Sequence, residues 1–103
     1  MDKDIFRLKG QPLGFIKADI VYDIYGKSLG WVEGLVVYNK AGNFIGKVYQ
    51  ASGNHYILKF ILDLQPLPQQ PKNIPDLLPG EFEIKPINNI AAIEVPPGYV
   101  DGF

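Results

Sequence analysis

The sequence predicts an all-β protein, a small closed barrel-like or radial assembly of repeated β-hairpins. Three observations lead to this prediction. A short phrase recurs every 16 residues, each copy contains runs of β-branched and aromatic residues, and residues 64–80 hold five prolines. With 103 residues, the chain has the length of one domain with one modest core.

The repeat is clearest in its glycines, because GQPLGFI, GKSLGWV and GNFIGKV begin at residues 10, 26 and 42. Agreement in six columns predicts three copies of one structural unit. The columns are Gly10, Gly26 and Gly42; Gly14, Gly30 and Gly46; Phe6, Tyr22 and Tyr38; Ile5, Val21 and Val37; Leu13, Leu29 and Ile45; and Ile16, Val32 and Val48.

Each copy is typical of a β-hairpin. In the second copy, residues 19–23 and 28–33 are strand-like, and Gly26 lies near the end of the loop between them. This pattern predicts a type I turn closed by a left-handed glycine, since glycine adopts positive φ at little cost. Gly30 falls inside the returning strand, where glycine indicates a bulge, a bend or a close backbone approach. We expect a bend that curves the sheet.

The repeat weakens after residue 50, although a degenerate fourth copy indicates pseudo-fourfold symmetry. The proline-rich stretch is expected to cross the surface, because proline cannot donate to a strand ladder. A closing pair of strands is predicted at residues 81–87 and 90–95. The single domain thus divides into hairpin repeats (4–63), a proline-rich crossing (64–80), a closing strand pair (81–95) and a tail (96–103).

Composition excludes several classes of function. The absence of cysteine excludes disulfides, thiolate catalysis and cysteine-bound zinc. A net charge of -1 gives no basic footprint, so no nucleic acid is expected as a partner. No apolar run approaches the roughly 20 residues of a membrane helix, and the charged N-terminus does not resemble a signal peptide. The expected location is therefore the cytoplasm, with no membrane partner.

Few polar residues suit a catalytic or metal site. His55 is the only histidine and lacks the partners that a triad or a metal site needs. Asp19, Asp23 and Glu33 are carboxylates available for acid–base work, but Asp23 precedes a turn, where Asp commonly caps the backbone. We therefore predict no catalytic residue, no metal, no cofactor and no enzymatic activity.

Two aromatic columns are candidates for binding. The column that contains Tyr22 and Tyr38 is either a core layer or the mouth of a ligand pocket. With His55, these tyrosines are the candidate ligand-binding residues. In the column Phe15, Trp31 and Lys47, the lysine indicates an approach to solvent. Trp31 is therefore a candidate contact for a partner protein.

The stretches VYDIYGKSLGWVEG (21–34) and VVYNKAGNFIGKV (36–48) resemble the repeats of the small bacterial 4-fold β-flower proteins, (I/V)YD-x-x-G-x-x-(L/I)G-x-(I/V). The resemblance covers about residues 4–50. It implies four hairpin petals around a pseudo-fourfold axis and no known activity, with residues 64–103 as an elaboration. More weakly, residues 37–50 resemble the opening of PRC-barrel domains, which are adaptors in ribosome maturation and photosynthetic complexes.

These observations favour a small β-repeat protein that acts as a non-enzymatic binding or assembly module. Its contact surface would be the apolar faces around Trp31 and the proline-rich segment, where Pro68 and Pro71 have PxxP spacing. Both faces of several strands are apolar, so either the C-terminal segment or another subunit covers one of them. The alternatives are a small-molecule-binding protein or enzyme with a pocket near the repeat axis, and a PRC-barrel-like adaptor of RNA-processing machinery.

Overall fold

The strands form one closed sheet. A computed structural model describes residues 3–62, 64–83 and 88–103, which contain eight strands and no helix. Each strand pairs antiparallel with the next, and β1 also pairs in parallel with β7, which closes seven strands into a barrel. The all-β closed fold is confirmed. The strands are β1 (Lys3–Phe6), β2 (Pro12–Lys17), β3 (Ile20–Asp23), β4 (Ser28–Glu33), β5 (Val36–Asn39), β6 (Phe44–Ala51), β7 (Asn54–Phe60) and β8 (Tyr99–Asp101).

Consecutive strands form two-stranded units that we call petals: petal 1 is β1–β2, petal 2 is β3–β4, petal 3 is β5–β6 and petal 4 is β7–β8. In petal 2, the Asp23 N–H donates to the Lys27 carbonyl and the Gly26 N–H donates to the Asp23 carbonyl. The same two bonds recur 16 residues earlier and 16 residues later. Gly26 has a φ of 81°, and its equivalents Gly10 and Gly42 have a φ of 93°, as the turn requires.

Petal 4 is assembled from distant parts of the chain. The Gly102 N–H donates to the Ile57 carbonyl at 2.9 Å, which places Gly102 where Gly30 lies opposite Val21 in petal 2. Gly98, four residues earlier, has a φ of 98°. GYVDGF (98–103) is therefore a fourth copy of the repeated phrase, and residues 96–103 are not the predicted tail.

Residues 61–98, which we call the strap, connect the two strands of petal 4 by running around the other petals. Their backbone N–H groups reach the turn glycines of petals 4, 3, 2 and 1 in that order. The bonds run from Ile61 to the Gly98 carbonyl, from Gln69 to Gly42, from Leu77 to Gly26 and from Ile90 to Gly10, at 2.8 to 2.9 Å.

Part of the prediction for the strap is wrong. Residues 90–95 form no strand. They follow petal 1 instead, through the bond from Ile90 and another from the Ile93 N–H to the Leu8 carbonyl. Residues 81–83, the start of the first predicted strand of the closing pair, also form no strand, and residues 84–87 lie outside the described residues. Residues 64–80 form no strand and are mostly exposed, in keeping with a surface crossing.

Alternation along each strand divides the apolar side chains between two faces. The barrel interior is filled by aliphatic residues from all four petals: Ile5, Leu13, Ile16, Val21, Val32, Val37 and Ile57, with Leu29, Ile45, Val48 and Phe103 packed against them. Their neighbours Phe6, Tyr22 and Tyr38 point to the outer face and are also buried. The strap contributes to the burial of Phe6, because Ile90, Ile93 and Val95 pack against the cluster that Phe6 forms with Tyr56 and Leu58.

The second glycine of the phrase is required by close backbone approach. A Cβ on Gly30 would overlap the Tyr38 carbonyl of petal 3, and one on Gly14 would overlap the Tyr22 carbonyl of petal 2. Neither residue has a positive φ. Glycine is therefore needed where neighbouring petals touch. Each of these glycines also lies next to a register shift within its own petal, where the sequence predicted a bulge or a bend.

Candidate binding surface

The outer face presents three comparable junctions between petals: junction 1 where β2 meets β3, junction 2 where β4 meets β5, and junction 3 where β6 meets β7. Strand register places one side chain pair at each. The pairs are Phe15–Tyr22, Trp31–Tyr38 and Lys47–Leu58. The first two pairs are stacked, with ring centroids 5.4 Å apart, whereas junction 3 replaces the stack by a lysine and a leucine.

The strap covers junction 1 with an aromatic ring. The Phe82 centroid lies 6.0 Å from that of Phe15, and the Lys17 Nζ donates to the Glu81 carbonyl at 3.0 Å. Tyr22 is buried beneath this segment. Burial raises the pKa of the Tyr22 hydroxyl, and the Glu81 and Asp76 carboxylates raise it further.

The strap covers junction 2 with a cation. The Lys72 Nζ lies 4.4 Å from the Trp31 ring centroid and 3.8 Å from Glu33 Oε1. Glu33 also accepts a hydrogen bond from Trp31 Nε1 at 3.0 Å. Trp31 is only 2% exposed, so the expectation that it approaches solvent is wrong. A cation–π contact within this chain occupies the face that a partner would need.

Between these junctions, the strap is fastened to petal 2 by a polar contact. Asp76 Oδ1 accepts from the Ser28 N–H at 2.8 Å and lies 3.0 Å from Ser28 Oγ, which also donates to the Ile74 carbonyl at 2.7 Å. The Ser28 N–H lowers the pKa of the Asp76 carboxyl, and the Ser28 hydroxyl adds to the effect, as do Lys40 and Lys27. Neither residue could be singled out from the sequence, because the two lie 48 positions apart.

Junction 3 remains open and forms a groove of about 180 Å³. Tyr49 and Tyr99 are 39% and 37% exposed. Lys47 is exposed and makes no ion pair with the residues that the structure describes. The lining residues are Phe44, Lys47, Val48, Tyr49, Leu58, Phe60 and Tyr99.

The groove combines aromatic rings with positive charge. The Phe60 and Tyr99 rings are 5.0 Å apart, and the Lys59 Nζ lies 6.0 Å from the Phe44 centroid. The strap begins beside this surface, and its first leucines face solvent: Leu62, Leu64 and Leu67 are 81%, 96% and 82% exposed. An aromatic groove next to exposed leucines is suited to protein contact.

The predicted ligand-binding residues do not meet at one place. Tyr22 and Tyr38 lie on strands separated by β4, and each ring stacks on a different partner. His55 lies on β7, opposite Gln50 of β6 and Ile5 of β1. The interior that they were expected to surround is filled with aliphatic side chains.

The predicted turn cap is confirmed, because Asp23 Oδ1 accepts from the Tyr25 and Lys27 N–H groups at 2.8 and 3.0 Å. Within the described ranges, no cluster of His, Cys, Asp or Glu is arranged to hold a metal ion. The same residues contain no helix that is long and apolar enough to cross a membrane. A second cavity, of about 360 Å³, lies at the tip of petal 2 between Tyr25 and strap residues including Phe82.

A closed sheet that is built from two-stranded units with repeated turn glycines is typical of radial β-repeat proteins. The family model described as "4-fold beta flower protein" matches residues 1–102. The chain therefore belongs to the 4-fold β-flower family. The match extends well past residue 50, where the recognisable repeat ends, and spans the strap and the fourth copy. No curated protein and no solved structure matches the chain.

Proposed function

We propose that the protein is a non-enzymatic binding module that holds a partner protein at junction 3. One observation carries the proposal: the strap covers junctions 1 and 2 with its own side chains but leaves junction 3 as an open aromatic groove. Of the three comparable junctions, junction 3 is therefore the one that is available for contact with another protein.

The shape and chemistry of the groove support a protein partner over a small molecule. Its volume of about 180 Å³ is below the roughly 300 to 1,000 Å³ of drug-sized ligand sites, but it suits a single inserted side chain. Partly exposed tyrosines commonly provide binding energy in interfaces. The polar groups Asp23 and Asp76 are engaged in structural hydrogen bonds, which supports a non-enzymatic role.

Self-assembly is the second candidate, and the solvent-facing Leu62, Leu64 and Leu67 favour it. A second copy would bury these leucines against junction 3 of its neighbour. The pocket near the repeat axis has less support, because aliphatic side chains fill the interior. The PRC-barrel-like adaptor has less support too, since the family match covers nearly the whole chain.

The proposal is tested by comparing Tyr99→Glu with the control Leu35→Glu, which changes a side chain that is 64% exposed in the turn between β4 and β5. Each variant and the wild type are used to purify partners from a lysate of the source organism with isotope-based quantification. A protein lost only with Tyr99→Glu is then purified, and its direct affinity for all three chains is measured.

We expect direct binding to fall at least about tenfold for Tyr99→Glu, since the aromatic ring that would contact the partner is lost and a central interface tyrosine contributes about 2 kcal/mol or more, and to be unchanged for Leu35→Glu. Light scattering on the isolated chain decides between the two candidates. If the wild type is a dimer and Tyr99→Glu is a monomer, the occupant of junction 3 is a second copy of this chain rather than a different protein. Equal affinities for both variants would remove junction 3 from the function.

A further inference from the structure

The strap shows how petals of this fold hold an extended chain. At each turn it donates one backbone N–H to a glycine carbonyl: Gln69 to Gly42 and Leu77 to Gly26, both at 2.8 Å. Between those points it has no regular structure. The Lys72 N–H adds a second bond at the petal 3 turn, to the Lys40 carbonyl at 3.0 Å. The petals therefore bind an extended segment by one or two backbone hydrogen bonds per turn, and the junctions take side chains from the stretches between.

We call each stretch of the strap between two successive turn glycines a crossing. Two of these crossings place a side chain on the junction that they pass. The crossing from Gln69 to Leu77 brings Lys72 onto Trp31, and the next crossing brings Phe82 onto Phe15. The crossing from Ile61 to Gln69 is different. None of its described side chains lines the groove, and its leucines face solvent.

The residues at the uncovered junction indicate what would complete it. At junction 2 the sheet supplies the aromatic ring and the strap supplies the cation, with the Glu33 carboxylate alongside. At junction 3 the sheet supplies the cation, Lys47. A carboxylate is the group that pairs with an exposed lysine, and an aromatic ring packs against the remaining rings, Phe44, Phe60 and Tyr99.

We propose that junction 3 takes an extended peptide segment that inserts one aromatic side chain into the groove and places an adjacent carboxylate at Lys47. The inference rests on the proposed function, because it names the chemistry of the partner segment. The volume of about 180 Å³ limits the insertion to one large side chain. The segment is extended because the strap binds the neighbouring petals in that form.

The probe is a library of random heptapeptides displayed on phage and selected against the full-length protein. Peptides enriched in the selection are synthesised with a fluorescent label, and their Kd is measured by anisotropy. The variant Lys47→Glu tests the carboxylate contact, and Lys9→Glu is the matched control because Lys9 is exposed in the turn of petal 1. Each peptide is also made with its acidic residue replaced by lysine.

We expect the enriched peptides to carry an aromatic residue beside Asp or Glu. Lys47→Glu should weaken them about fivefold to tenfold, because attraction becomes repulsion at a partly exposed site, and Lys9→Glu should leave Kd unchanged. The lysine-bearing peptide should recover affinity on Lys47→Glu. Enriched peptides that bind both variants equally would overturn the inference, as would a selection that yields no binder.

Failure of this inference and failure of the proposed function give different results. If a purified partner needs Tyr99 but contacts the groove with a helix or with neutral residues, the inference fails and the binding function stands. If acidic aromatic peptides bind through Lys47 but no partner depends on Tyr99, the groove chemistry stands and the proposed function fails.

Discussion

At the scale of single residues, the contact between Ser28 and Asp76 shows how the strap is held. Ser28 is 1% exposed, its backbone N–H donates to Asp76 Oδ1, and its hydroxyl oxygen lies 3.0 Å from the same carboxylate oxygen. Hydrogen bonds to an ionised acceptor are stronger than neutral ones. They also favour the ionised form, which is why the pKa of Asp76 lies below its ordinary value of 3.8.

This contact predicts a pH dependence that Asp76→Asn should reduce. A carboxyl whose pKa is lower in the folded chain stabilises the fold fully above its ordinary pKa, and the stabilisation is lost as pH falls through the folded pKa. Asn keeps the acceptor oxygen but does not titrate. We therefore expect the stability difference between wild type and Asp76→Asn, measured by urea unfolding, to shrink between about pH 7 and about pH 2. A difference that stays constant over this range would contradict the assignment.

At the scale of elements, each turn glycine has two requirements. Gly42 closes the petal 3 turn with a φ of 93°, and a Cβ on it would overlap the Gln69 carbonyl of the strap. Gly34 also has a positive φ, of 62°, but a Cβ there would meet no atom within 4 Å. Gly34 is therefore required only for its positive φ, whereas Gly42 is required both for its positive φ and for the close approach of the strap.

We predict that Gly42→Ala destabilises the fold more than Gly34→Ala. Both substitutions carry the cost of a left-handed alanine, roughly 1–2 kcal/mol. Gly42→Ala also displaces the strap and its hydrogen bond, which adds about 1 kcal/mol or more. Chemical denaturation measures the difference, and hydrogen exchange should show faster exchange at the Gln69 amide in Gly42→Ala alone. Equal costs for the two variants would mean that the strap does not press on this turn.

The petal turns could be predicted from the sequence because they are local. Asp23 caps the turn that Gly26 closes, and both lie within one short segment. The fourth copy could be predicted only as a degenerate one before residue 64, because the strap separates the two strands of petal 4. A fixed period of 16 from Val37 points to Gly53, whereas Ile57 takes the equivalent place. A search for the phrase alone, without its period, would have found GYVDGF.

The groove could be predicted only in part, because it depends on which junctions the strap leaves uncovered. Lys47 was the visible sign, since it breaks an apolar column. The same sign led to the wrong conclusion for Trp31, whose burial is decided by Lys72, far away in the sequence. Contacts of this kind follow from the path of the strap, which composition and periodicity do not define.

At the scale of the whole molecule, the fold consists of a self-contained barrel and a strap that covers its outer face. The interior cluster is formed mainly by residues of the petals, and none of the strap residues that the structure describes belongs to it. The outer cluster, by contrast, includes Ile90, Ile93 and Val95 of the strap. The interior therefore depends on the ring of petals, whereas the outer aromatic residues depend on the strap for their burial.

This division predicts that a chain without residues 62–97 still forms the barrel. The deletion joins Ile61 to Gly98 and leaves Lys59-Phe60-Ile61-Gly98, a turn of the same length as Asp23–Gly26 in petal 2. We expect circular dichroism to keep its β-sheet signal, because the interior cluster is intact. Trp31 emission should shift to the red and a hydrophobic dye should bind, because the cover of junctions 1 and 2 is lost. A shortened chain with no β-sheet signal would show instead that the strap is needed to form the barrel.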